Sequence, residues 1–256
     1  MNLNFYNNNY DIHFIGFIGV DKIEQVYEPK EKYFSKEAKE LIDKNWKDFV
    51  AKNQNAYDGD LFNFISLENY NDNIKLYYDY TKFSYTKTCR TKDYKKFTDT
   101  GNYTSNHISI PTIIKTIDNK ILIGSDLTRV NGIQKWKFPG GIWEKCAPKI
   151  IDNINKEINE EIGNIELKNI KIICIATCKN ATCITSFAEI GMNSKEFEKF
   201  IINNRKNAVD SYEMSEIKFI DLTKEGIENF LNDKSIALGS MGAISLYALM
   251  KNIDSL

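Results

Sequence analysis

The chain has 256 residues, a formal net charge of −1, and 42% hydrophobic and 27% charged residues. These values are typical of a soluble globular protein built as one large domain or two small ones. With so little net charge, the chain has no overall electrostatic attraction for DNA, RNA or anionic lipid. No DNA or membrane partner is therefore expected, although a local basic patch is compatible with these numbers.

The N-terminal segment and the cysteines together predict a cytoplasmic protein. No basic stretch followed by a long apolar stretch occurs near the N-terminus, and the apolar run at 12–20 is too short to span a bilayer. The five cysteines are odd in number and irregularly spaced, which favours reduced thiols. They are Cys89, Cys146, Cys174, Cys178 and Cys183.

The first region, residues 1–106, alternates helix and strand signals. Apolar residues predict a strand at 11–20 and a helix at 35–52 that begins after the capping residue Ser35. Aromatic residues in rough alternation then predict a strand pair at 61–67 and 74–86. We interpret this region as an α/β extension that serves substrate recognition or dimerisation.

The second region, residues 107–256, is predicted to be a mixed sheet with helices on both faces, which makes the chain an α+β protein. Its predicted strands are 108–116, 120–125, 133–138, 170–177, 182–190 and 216–222. Its predicted helices are 149–162, which Gly163 ends, then 194–204, 224–231 and 240–251.

Three glutamates on the helix at 149–162 carry the strongest chemical signal. Glu157, Glu160 and Glu161 have i, i+3 and i+4 spacing, so their carboxylates share one side of the helix. Crowded carboxylates repel one another unless a cation joins them, and hard oxygen ligands suit magnesium or manganese. A solvated acidic face is the alternative for a glutamate-rich helix. The Pro139–Gly140–Gly141 turn before the helix favours a site, because glycine lets backbone approach a metal and a phosphate closely.

This segment resembles the signature of the Nudix family. In words, the signature is Gly, five residues, Glu, seven residues, Arg-Glu, apolar, any, Glu-Glu, any, Gly, apolar. The chain offers Gly141 and then Lys-Glu-Ile-Asn-Glu-Glu-Ile-Gly at 156–163. It departs from the signature by Lys156 for Arg, by one extra residue before Glu157, by Ala147 near the first Glu, and by Asn164 at the apolar end.

The resemblance implies a Nudix-type α/β/α sandwich that hydrolyses a pyrophosphate with Mg²⁺, or Mn²⁺ in its place. By position, Glu157 and Glu161 look like the principal metal ligands, and Glu160 looks like a further ligand or a base. The carbonyl of Gly141 would also touch metal, and Glu144 in the loop could reach a second ion. The metal would neutralise charge on the phosphate oxygens and lower the pKa of the attacking water.

Short segments outside the signature are similar to the branch of the Nudix family that contains the mammalian UDP-glucose diphosphatase. They lie at 55–64, 90–102, 212–220 and 242–247. This resemblance implies hydrolysis of a UDP-sugar to UMP and a sugar 1-phosphate. A nucleoside-diphosphate small molecule is therefore the expected partner, and a homodimer is compatible with the sequence.

Several residues outside the helix are candidates for contact with that substrate. The basic segment at 87–96 offers Arg90 for the phosphates and Tyr94 for stacking on a base, although a solvated loop explains the same residues. Arg129 and Lys137 precede the glycine turn. Trp143 could cover the substrate or pack on the first region. Glu213 is a further candidate base or an additional ligand, with an ordinary surface glutamate as the alternative.

Two other functions remain open from the sequence. A Nudix hydrolase could instead act on ADP-ribose, a dinucleoside polyphosphate or capped RNA, although the near-neutral charge argues against long RNA. A nucleotide-binding module that kept the fold and lost catalysis is the second, because Ala147 stands near the usual glutamate.

Overall fold

The computed structural model describes residues 10–53, 56–127, 129–130, 132–233 and 235–255. These residues form an α+β structure, as predicted, in which helices pack on a mixed sheet. The strands are β1 (Tyr10–Gly19), β2 (Ile23–Tyr27), β3 (Asp60–Tyr70), β4 (Asn73–Lys82), β5 (His107–Lys115), β6 (Lys120–Ser125), β7 (Arg129–Val130), β8 (Ile133–Trp136), β9 (Gly140–Ile142), β10 (Lys168–Cys178), β11 (Ala181–Glu189), β12 (Glu216–Asp221) and β13 (Ile236–Leu238).

The helices are α1 (Lys36–Lys52), α2 (Phe83–Cys89), α3 (Lys95–Thr98), α4 (Ile150–Glu161), α5 (Ser194–Asn204), α6 (Lys224–Asn232) and α7 (Ser240–Asn252). Short 3-10 turns lie at Val20–Lys22, Lys92–Tyr94, Ser211–Met214 and Ile253–Ser255. No helix in the described parts of the chain is long and apolar enough to cross a bilayer.

The main sheet runs in the order β1-β10-β11-β5-β3-β4-β2. Strands β11 and β5 pair in parallel, as do β2 and β4, whereas the other neighbours along this path are antiparallel. Strand β5 also pairs with β9, which we call the glycine strand because it begins with Gly140 and Gly141. The pairs are Ser109–Ile142, Ile110–Gly141 and Pro111–Gly140. Strand β5 therefore places the glycine turn at the middle of the sheet.

Apolar side chains on the two faces of the sheet form two separate cores. One core joins β5 and β10 to α4 and α5 through Ile154, Ile158 and Phe197. The other joins the same strands to α6 and α7 through Ile227 and Leu246. Because successive strand residues point to opposite faces, neighbours such as 172 and 173 enter different cores. Helices thus cover both faces, as the α/β/α prediction requires.

Residues before 107 contribute strands to the same sheet as the residues after them. Strand β1 pairs with β10 at one edge, and β3 reaches β5 through the pair Asn63–His107. Helix α1 lies over a smaller core that contains Ala38, Ile42 and Tyr94. The first region therefore extends the sheet on both sides, and its part in recognition or dimerisation stays a prediction.

One predicted strand is wrong at its C-terminal end. The sequence predicts a strand at 74–86, but β4 stops at Lys82 and α2 begins at Phe83. Asp58 accepts hydrogen bonds from the backbone N–H and the hydroxyl of Ser84, both at 2.8 Å. This cap comes from a distant segment, so local propensity does not report it. The short strands β2, β7, β9 and β13 were also not predicted.

Four of the five cysteines, at 89, 174, 178 and 183, are buried and Cys146 is exposed. All five are free thiols. Cys174 and Cys178 lie on β10, as the sequence indicates, and Cys174 belongs to the core under α7.

Candidate active site

The glutamate face of α4 meets the backbone of the glycine strand β9. Ile154 and Ile158 bury one side of the helix, which fixes the direction of the neighbouring carboxylates. The N–H of Gly140 donates to Oε2 of Glu161 at 2.9 Å. A Cβ built on Gly141 would lie 2.1 Å from Oε2 of Glu157, so the carboxylate of Glu157 rests directly against the Gly141 backbone. Only glycine at 141 leaves room for this contact.

Lys156 holds three of the carboxylates around one positive charge. Its Nζ lies 3.1 Å from Glu157, 2.9 Å from Glu160 and 3.4 Å from Glu144. Burial opposes charge on Lys156, but the hydrogen bond to Glu160 and the nearby carboxylates raise its pKa overall. The sequence identified Glu144 and the helix glutamates as neighbours of a cation, but it did not show that Lys156 joins them.

Lys137 makes a second such link, between α4 and the turn at 211–214. Its Nζ lies 3.0 Å from Glu161 and also contacts Glu213. Burial alone would lower the pKa of Lys137, but these two carboxylates raise it. The structure therefore brings the predicted residue Glu213 beside Glu161, through a lysine that was predicted to bind substrate.

Two of the glutamates are held in an unfavourable electrostatic state. Glu161 is 2% exposed, and burial raises its pKa despite Lys137 and the Gly140 N–H. Burial also raises the pKa of Glu157 to about 6, against the effect of Lys156. The two lysines thus compensate the carboxylates only in part, which leaves a demand for further positive charge at this face.

The donor set fits a hard divalent cation, although the carboxylates now converge on lysine ammonium groups. In the described residues, no three His, Cys, Asp or Glu side chains already form a closed metal site. Three carboxylates nevertheless reach a single cationic atom, and magnesium prefers oxygen ligands of this kind. Glu157, Glu160, Glu161 and Glu144 are the residues that would hold it. A ligand role for the carbonyl of Gly141 stays a prediction.

A cavity of about 900 Å³ lies on the other side of the glycine strand. Gly140, Gly141 and Lys137 form part of its wall, so these residues belong both to the cavity and to the glutamate face. The start of α7 and the turn between β10 and β11 also line the cavity. Its cationic lining consists of Arg90, Lys92, Lys95, Lys135, Lys137 and Lys179.

Three of the predicted substrate contacts need correction. Trp143 is fully buried, stacks on Phe62 at 3.9 Å between ring centroids, and donates from its indole N–H to the carbonyl of Ala147 at 2.7 Å. Tyr94 is also fully buried and donates to the carbonyl of Tyr103. Arg129 is exposed and donates to the carbonyl of Gly132 at 3.2 Å, away from the cavity wall. Neither aromatic ring is accessible to a ligand.

Arg90 and Lys137, in contrast, both line the cavity. The sequence did not point to Lys179 or to residues 239–241 at the start of α7. Lys179 occupies a hairpin turn with a positive φ of 55°, and nothing in the local sequence links that turn to the glycine strand. Only the pairing of β11 with β5 brings it there.

The ring of His107 contacts Arg90, and the lowered pKa of His107 makes the free energy of unfolding depend on pH. The guanidinium of Arg90 contacts the His107 ring, which is fully buried on β5. Burial and the charge of Arg90 lower the pKa of His107 from 6.5 to about 3. The unfolded chain therefore binds one more proton than the folded chain between these values, so the stabilisation is present above pH 6.5 and is lost as the pH falls.

We expect the loss from His107 at pH 5 to be about 2 kcal/mol. The free energy of unfolding, measured with urea at pH 7 and pH 5, should fall by about this much more in the wild type than in His107→Gln. Lys96→Gln, which changes an exposed side chain outside the cavity wall, supplies the control and should keep the wild-type difference. Equal pH dependence in the wild type and His107→Gln would contradict the assignment.

Comparisons with known proteins give similarity to solved structures only. No protein-family model matches the chain, and no curated protein matches it in sequence. Among the solved structures, the E. coli ORF135 protein shares 14% identity, covers 59% of this chain and 94% of its own, and has a TM-score of 0.40. The MutT protein of Methanosarcina mazei shares 16% identity with the same coverages and a TM-score of 0.36.

A third solved structure is the bifunctional NMN adenylyltransferase/ADP ribose pyrophosphatase of Francisella tularensis, complexed with AMP and a manganese ion. It shares 15% identity, covers 63% of this chain and 46% of its own, and has a TM-score of 0.37. Similarities at this level identify neither a substrate nor a reaction for this chain. The function has to follow from the geometry of its own residues.

Proposed function

We propose that the chain is a magnesium-dependent hydrolase of the Nudix type that cleaves the pyrophosphate bond of a nucleoside-diphosphate compound. One observation carries the proposal: the glycine strand and Lys137 contact the carboxylates of α4, of which Glu161 is buried, and also form part of the wall of a basic cavity. An anionic ligand in the cavity would have its phosphates next to the carboxylates that suit a divalent cation. The cavity volume lies in the range of small-molecule sites.

The residues divide into those that bind anions and those that hold the cation. Lys135 and Lys137 at the glycine end of the cavity would pair with the phosphate oxygens. Glu157, Glu160 and Glu161 would hold magnesium, which supplies charge neutralisation on the phosphates and a lowered pKa for the attacking water. Glu213 contacts Lys137 at the edge of this cluster and would accept a proton there.

UDP-sugars are the expected substrates from the resemblance of segments outside the signature. ADP-ribose, dinucleoside polyphosphates and capped RNA are the alternatives within the same chemistry. The test is incubation with each compound and magnesium, followed by quantification of UMP, AMP or other nucleotide products. Release of UMP and sugar 1-phosphate from UDP-glucose or UDP-galactose supports the expected substrate. Products from ADP-ribose instead would support the alternative.

A nucleotide-binding module without catalysis is the competing function. Ala147, near the position of a family glutamate, is 5% exposed and accepts the indole N–H of Trp143 through its carbonyl. That position therefore serves the core and offers no carboxylate. Binding of nucleotides without any magnesium-dependent turnover across the panel would favour the module and contradict the hydrolase.

A further inference from the structure

The wall of the cavity contains six cationic side chains and a single carboxylate. Five cations in its wall make no ion pair within the described ranges of the chain: Arg90, Lys92, Lys95, Lys135 and Lys179. The one carboxylate in the wall is Asp99. In a chain of net charge −1, this local excess is a feature of the cavity and not of the composition. Like charges gathered without partners raise the free energy of the empty cavity, and a bound anion lowers it.

Apart from Lys179 in the turn between β10 and β11, the cations of the wall form two groups, which come from two segments of the chain. Lys135 and Lys137 lie on the segment that leads into the glycine turn, and Lys137 contacts Glu161. Arg90, Lys92 and Lys95 come from the first region of the chain, on the segment that connects α2 to β5. One diphosphate held at the glycine turn would use the first group and leave the second group without a partner.

The second group is held in place by buried residues. The ring of His107, which is fully buried, contacts the guanidinium of Arg90 and accepts from it without neutralising its charge. Tyr94 stands between Lys92 and Lys95, is fully buried, and donates to the carbonyl of Tyr103 at 2.7 Å. The segment is therefore anchored at its centre, which holds the backbone that carries the exposed side chains of Lys92 and Lys95 at the cavity wall.

We infer that Arg90, Lys92 and Lys95 form a second phosphate subsite, so that the preferred ligand carries a phosphate monoester in addition to its diphosphate. This inference rests on the proposed function for the position of the diphosphate. A phosphate monoester has close to two negative charges and three acceptor oxygens near neutral pH, which suits one guanidinium and two ammonium groups from the same segment of the cavity wall. A UDP-sugar would leave this subsite empty. The subsite also gives the first region of the chain a direct part in substrate recognition.

Matched ligand pairs that differ by one phosphate monoester test the subsite without catalysis. NADP⁺ against NAD⁺, and coenzyme A against 3′-dephospho-coenzyme A, are titrated into the protein in the presence of EDTA. The wild type should bind the phosphorylated member of each pair at least about tenfold more tightly. Lys92→Gln/Lys95→Gln should bring both ratios close to one. A ratio near one in the wild type, or no binding of either phosphorylated ligand, overturns the inference.

Lys96 provides the control variant. It is exposed on the same segment, lies over the Phe97 ring at 4.9 Å and is not part of the cavity wall. Lys96→Gln removes one charge from the segment and should keep the wild-type ratios. An unchanged ratio in Lys92→Gln/Lys95→Gln would place the monoester elsewhere and overturn the subsite. Magnesium-dependent product release tests the proposed function separately, because the binding ratios are measured without a metal.

Discussion

Glu161→Gln should abolish most of the magnesium-dependent hydrolysis while leaving the fold intact. Glutamine has almost the same volume, and its amide oxygen can still accept from the Gly140 N–H that Glu161 now binds at 2.9 Å. The variant loses the negative charge that faces Lys137 and that would neutralise a divalent cation. We expect kcat to fall by at least about a hundredfold, which is typical when a charge that stabilises a phosphoryl transition state is removed.

Product release under saturating magnesium and calorimetric titration with Mn²⁺ measure the two effects of Glu161→Gln. Glu166→Gln is the matched control, since its side chain is 81% exposed just beyond the same helix. The control should retain wild-type activity and metal affinity. Glu161→Gln with activity close to wild type would show that the buried carboxylate has no part in the reaction. A thermal melt confirms that the variant is folded.

The elements that could be predicted from the sequence are those whose determinants lie close together along the chain. Helix α4 was predicted because Ile154 and Ile158 repeat at helical spacing and Gly163 ends the helix with a φ of 117°. Helix α1 was predicted because Ser35 is a capping residue before apolar residues at helical spacing, and in the structure Ser35 accepts from the N–H of Ala38. These signals lie within a few residues of each other. The end of β4 was wrong because its determinant, Asp58, lies 26 residues before Ser84.

In the candidate site, too, the residues set by local spacing could be predicted and those set by long-range strand pairing could not. The glutamates of α4 were found because helical spacing alone puts them on one side. The contact of Lys156 with Glu160 follows from their i, i+4 spacing, whereas its contacts with Glu157 and Glu144 do not follow from helical spacing. The cavity could not be predicted, because the pairing of β11 with β5 brings Lys179 to its wall.

The aromatic candidates failed for a different physical reason. An aromatic ring near a glycine turn is equally suited to stack on a base or to fill a core, and sequence does not distinguish burial from exposure. Trp143 fills the core because β3 places Phe62 parallel to it at 3.9 Å. Tyr94 fills the smaller core under α1, with Ala38 and Ile42. In both cases the ring is buried and its neighbours in the sequence are the polar residues of the site. Lys92 and Lys95, near Tyr94, line the cavity, and Glu144, next to Trp143, contacts Lys156.

Gly141→Ala should disable the site through a single methyl group. The new Cβ would lie 2.1 Å from Oε2 and 2.6 Å from Cδ of Glu157, distances that force the carboxylate to move. Glu157 is tied to Lys156 and its side chain is 13% exposed, so it has little space in which to rearrange. We expect a loss of about a hundredfold in kcat, because a shift of about 1 Å in a positioned group costs this much. Steady-state product release measures it.

Two further variants separate a displaced carboxylate from general damage to the strand. Gly191→Ala is the matched control, because a Cβ at Gly191 would have no atom within 4 Å, and it should leave activity unchanged. Glu157→Asp in the Gly141→Ala background shortens the side chain by one methylene group and relieves the overlap. If the methyl group acts through Glu157, the two changes are strongly non-additive and the double variant loses less activity than the separate losses multiplied together. Purely multiplicative losses would mean that Gly141 matters for the strand and not for the position of the carboxylate, and the glycine would lose its assigned role in the metal-binding geometry.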